Sequence, residues 1–65
     1  MDEDKAKALA ELLGGEPWQS GGDVWLVLIR RADKRIVAFT DDVVCEYADQ
    51  EAFEGGEPEN SIVIA

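Results

Sequence analysis

Val24-Trp25-Leu26-Val27-Leu28-Ile29-Arg30-Arg31-Ala32-Asp33-Lys34-Arg35-Ile36-Val37-Ala38-Phe39 is the stretch on which the fold turns. Val24 to Ile29 is an unbroken apolar run, a charged reversal follows, and Ile36 to Phe39 is apolar again. Short runs rich in β-branched and aromatic side chains, bounded by polar residues, read as strands. Together they predict a β-hairpin whose tight reversal, Arg31 to Arg35, is centred on Asp33-Lys34. Lys34 then falls where Gly or Asn is usually preferred. The first strand does not alternate as a half-exposed strand would, so both of its sides need cover. With a period of two, Val24, Leu26 and Leu28 project to one side and Trp25, Val27 and Ile29 to the other.

Upstream, Ala6, Leu9, Ala10 and Leu13 recur at helical spacing and predict a helix over residues 3 to 13. Asp2, Glu3 and Asp4 suit the positive end of its dipole, and Glu3 and Lys7 are placed for an i,i+4 ion pair. Gly14-Gly15 stops the helix and Pro17 prevents its restart. Residues 16 to 22 read as turn-rich, with Trp18 and Gln19 forming at most a short edge strand. Downstream, Asp41-Asp42 turns the chain into a third strand, Val43 to Tyr47. Asp49 is placed to cap a short helix from Gln50 to Glu54, which Gly55-Gly56 ends. Ser61 to Ile64 reads as a last strand. The expected fold is α+β: an N-terminal helix packed on a small, mainly antiparallel sheet, in the order α-β-β-β-short α-β, as one domain over 1–65.

The chain has 65 residues, a single cysteine, no histidine and a net charge of −9. A domain of this size has a small core and usually gains stability from a disulfide, a metal or a partner subunit. One cysteine makes no intramolecular disulfide, and without histidine the usual zinc ligands are too few. Self-association is then the reinforcement left besides good packing. The net charge disfavours nucleic acid. The acidic start Met1-Asp2-Glu3-Asp4 and the lack of a long apolar run predict a soluble, cytoplasmic protein without a membrane segment.

Charge is unevenly spread. Arg30, Arg31, Lys34 and Arg35 are four of the six basic residues, whereas Asp41 to Glu59 holds acids and no base. The basic corner reads as a blunted hairpin end paired with acidic neighbours, and as a small anion site only in second place. Asp41, Asp42, Glu46, Asp49, Glu51 and Glu54 define an acidic surface, without the spacing of a calcium loop. Cys45, flanked by a carboxylate inside a strand, reads as a small buried hydrophobe. The two glycine pairs lack the surroundings of a phosphate-binding loop. No nucleophile–base pair, cofactor fingerprint or metal set emerges, so a non-catalytic protein is expected, with no cofactor.

Two functions follow. One helix of about 16 Å covers one side of a sheet that is apolar on both. The other side is then left for the short helix, a second copy or another protein. A protein–protein interaction module is expected, a homodimer or the binder of an unidentified protein, with Trp25, Val27 and Ile29 at the interface. For Trp25 itself, burial in the core is the favoured reading. The alternative is an acidic inhibitor or nucleic-acid mimic that sets its carboxylates into a basic groove.

Overall fold

The computed structural model describes residues 1–64. Helix α1 (Glu3–Leu13) is followed by β1 (Glu16–Gln19), β2 (Trp25–Arg30), β3 (Ile36–Phe39), β4 (Val43–Tyr47), α2 (Gln50–Gly55) and β5 (Asn60–Val63). The strands form one antiparallel sheet in the order β1-β2-β3-β4-β5. The fold is α+β, as the sequence predicts.

Both helices start on an aspartate cap, Asp49 as expected for α2 and Asp2 for α1. The Asp2 carboxylate accepts the Lys5 N–H and the Asp49 carboxylate accepts the Ala52 N–H, both at 2.8 Å. Gly14 ends α1 in the left-handed conformation. Gly15 has a different task. A Cβ there would lie 2.5 Å from the Leu28 carbonyl oxygen, so a glycine lets the helix exit pass against β2. Among the described residues no helix is long and apolar enough to cross a membrane.

Three local features differ from the expectation. Glu16 and Pro17 belong to β1, so the first strand fills most of the segment read as turns. Pro17 is tolerated because β1 is an edge strand and position 17 asks for no ladder donor. The β2–β3 reversal is a three-residue loop, closed by Arg31 N–H to the Arg35 carbonyl at 2.9 Å and Lys34 N–H to the Arg31 carbonyl at 3.1 Å. Lys34 is its left-handed residue, with φ of 73°. The last strand begins at Asn60, one residue earlier than read.

Two thin cores lie on opposite sides of the sheet. Leu26, Leu28, Ile36 and Ala38 fill one, against Trp18, Tyr47 and Phe53. Ala6, Ala10 and Val27 fill the other, against Met1, Leu9, Trp25 and Phe39. Helix α1 therefore lies on the Trp25, Val27 and Ile29 side, and Val27 is fully buried. The face expected to be open is the face the helix covers. The period of two separates the sides but not which of them receives the helix. On the far side, Phe53 of α2 stands edge-on to both Trp18 and Tyr47, with centroids 5.5 and 5.2 Å away.

Candidate functional site

Neither helix reaches β5. Ile62 is 64% exposed, Val63 73% and Ile64 58%, the largest run of bare aliphatic side chains in the fold. Pairing of Val44 with Ile62 places Ile62 on the α1 side of the sheet, and pairing of Val43 with Val63 places Val63 on the α2 side. On the α1 side, half-buried Val37 and Val44 continue the apolar strip from Ile62 beyond the helix. They line a shallow cleft of about 290 Å3 with Glu46, Asn60 and Ser61.

The β5 backbone is as open as its side chains. Ile64 donates its N–H to the Asp42 carbonyl at 2.9 Å. In an antiparallel ladder inward-facing residues alternate, so in the Val44–Ile62 register Ile62 also faces β4. Ser61 and Val63 consequently direct their N–H and C=O groups away from the sheet. The same alternation at the other edge starts from Ser20 N–H to the Val24 carbonyl at 2.8 Å. There Glu16 and Trp18 face β2, while Pro17 and Gln19 face outward. Pro17 offers no N–H, and one edge of the sheet is blunted where the other is not.

The charged groups divide between internal pairs and free acids. Glu46 accepts from Arg31 at 3.2 Å and Arg35 at 3.1 Å, and Arg35 also pairs with Glu59. Arg30 pairs with Glu16 at 3.0 Å. The arginines of the basic corner are thus engaged by neighbouring acids. Asp41 holds the N-terminal ammonium at 2.8 Å and Lys5 at 2.9 Å. These bonds, the ammonium first and Lys5 second, hold its carboxyl below the ordinary 3.8. The Asp42 carboxylate accepts from the Thr40 hydroxyl at 3.0 Å, and Asp49 is spent on its cap. Of the six expected acidic-surface residues, only Asp41 and Glu46 form ion pairs among the described residues; Asp42 and Asp49 accept hydrogen bonds alone, and Glu51 and Glu54 on α2 are in no ion pair.

Of the three residues expected at an interface, Val27 is buried under Ala6 and Ala10, Trp25 packs beside it, and Ile29 is half-buried. The Trp25 backbone is tied to Met1, donating to the Met1 carbonyl at 3.2 Å and accepting from the terminal ammonium at 3.3 Å. Val27 and Trp25 pack with the helix on the sheet, and the longest exposed aliphatic run lies three strands away, on and just after β5. Ile62 and Val63 had a signal in the sequence: an uncharged final strand following a loop of acids.

A second hollow, about 510 Å3, opens on the α2 side between Trp18, Leu26, Ala38, Cys45, Tyr47 and Phe53. The Cys45 thiol lies 3.5 Å from the Ser61 hydroxyl. Burial, with a smaller contribution from Cys45, pushes the Tyr47 hydroxyl above its ordinary value. Among the described residues no three His, Cys, Asp or Glu side chains are grouped to hold a metal ion. Compared with known proteins, the chain matches no family model, no curated protein and no solved structure.

Proposed function

We propose that this chain is a non-catalytic protein–protein interaction module that docks through the β5 edge and the apolar strip beside it. The observation that carries the reading is the coincidence, on one strand, of outward backbone groups and bare aliphatic side chains. Ile62, Val63 and Ile64 are each more than half exposed. An added strand would satisfy the backbone donors and acceptors of Ser61 and Val63 while Ile62 and Val63 supply apolar contact on the two sides. The strip Val37–Val44–Ile62 extends that contact across the sheet. Exposed strand edges of this kind are normally covered, charged or interrupted by proline, and residues 60–64 carry neither a charge nor a proline.

The test is site-resolved. Isotope-labelled protein is concentrated alone and, separately, mixed with total soluble cell extract, while its amide resonances are followed. Docking through β5 requires the signals of residues 60–64 to shift or broaden in at least one of the two series. If they stay unchanged in both, the β5 surface is not a docking site.

A further inference from the structure

We infer that the occupant of the β5 edge is a second copy of this chain, its β5 antiparallel to the first across a two-fold axis at Ile62. The inference rests on the reading of β5 as a docking edge and adds its partner. Ser61 and Val63 are the residues of 60–64 that present backbone groups outward. A two-fold at Ile62 sets Ser61 opposite Val63 of the second copy and Val63 opposite its Ser61. Each such pair exchanges two hydrogen bonds, so the seam makes four, and every outward group of the two residues is used. A two-fold at Ser61 or at Val63 leaves the other residue without a partner inside the stretch. Ile62 meets Ile62 in the pair without hydrogen bonds, where side chains approach most closely. Both lie on the α1 side, where each continues into its own Val44 and Val37, so the apolar strip becomes continuous across the seam.

Charge favours the same arrangement. Two bodies of −9 repel, yet residues 60–64 hold no charged side chain. Of the acids beside the strand, Glu46 is paired with Arg31 and Arg35 and Glu59 with Arg35, while Asp42 keeps its charge and accepts only from the Thr40 hydroxyl. No carboxylate is set against a carboxylate within the seam. The opposite edge cannot substitute, because Pro17 removes an outward donor from β1. Association therefore closes at two copies instead of running on as a filament. A second copy also supplies what so small a core lacks, since among the described residues three of the seven that are buried are alanines. A stable interface buries roughly 800 Å2 per partner. That is about a fifth of the 4314 Å2 of accessible surface here, more than a single strand edge presents, and the dimer is correspondingly weak.

The experiment is sedimentation of the intact chain over a dilution series reaching roughly 1 mM, at low and at moderate salt. A concentration-dependent dimer is expected, tighter in salt because screening relieves repulsion without touching an uncharged seam. Val63→Lys, at a side chain already in solvent, should weaken it about tenfold or more and leave the far-UV spectrum unchanged. Should that variant unfold, slowed amide exchange at Ser61 and Val63 on concentrating the unsubstituted chain decides instead. A monomer at every concentration overturns the inference, as does a dimer that folded Val63→Lys leaves intact. A monomer whose residues 60–64 still respond to cell extract removes the second copy while the docking edge stands. A monomer whose residues 60–64 respond to nothing removes both.

Discussion

β1 and β5 close the same sheet, and both are short strands with a row of backbone groups turned to the outside. Strand β1 carries Pro17 at an outward position, a Glu16–Arg30 ion pair on one side and the approach of α1 on the other. Strand β5 carries Ser61 and Val63 at its outward positions, and its aliphatic side chains stand in solvent. An edge can be protected by removing a donor, by placing charge beside it or by covering it, and β1 uses all three. One edge of the sheet is thus protected while the other is left open.

The heaviest blow to this asymmetry falls on the core under α1. Val27→Glu sets a carboxylate into a site with no exposure and should cost roughly 4 kcal/mol or more. The helix would leave the β1 half of the sheet, and chemical denaturation should show no folded baseline. A variant that stays folded and merely loses its dimer would return the interface to the helix-covered face. Pro17→Val tests the blunting directly by restoring an outward N–H. The protein should then form species larger than a dimer, because both edges are open, and sedimentation would show mass rising with concentration without a plateau.

A smaller effect is expected at Asp41, which ties the chain's start to the β3–β4 turn. Its carboxyl is held below 3.8, chiefly by the ammonium and next by Lys5. A depressed folded value adds stability above the ordinary value and loses it as pH falls through the folded one. Thermal melts should therefore weaken as the pH drops below about 4, and Asp41→Asn should lower the neutral-pH melting temperature slightly while flattening that slope. The loss concerns the α1 side and should leave dimerisation in place. The smallest effect is at Lys34, far from either edge. Relief of its left-handed backbone in Lys34→Gly, partly offset by glycine's entropy, should raise stability by at most about 1 kcal/mol. Its dimer should be unchanged, which makes it the control for changes in stability alone.

Residue patterns alone determined much of this protein. The stripe Ala6–Leu9–Ala10 with Asp2 before it and Gly14 after it specifies α1, because spacing, cap and stop are all local. The apolar runs on either side of Arg31–Arg35 specify the β2–β3 hairpin, and Asp49 with Gly56 brackets α2. The period of two also sorts Leu26 and Leu28 from Trp25 and Val27 correctly. Tertiary structure decided which of these sides α1 covers, since a pattern of alternation is unchanged when its two faces are exchanged. It placed Val27 in the core with Trp25 packed against it, and left Ile62 and Val63 as open apolar surface. It also decided which acids are free. Glu46 and Asp41 meet Arg31, Arg35, Lys5 and the N-terminus only once distant segments come together. Which backbone groups face out at Pro17 and at Ser61 and Val63 depends on strand order and register. Both are settled by contacts between segments far apart in the chain.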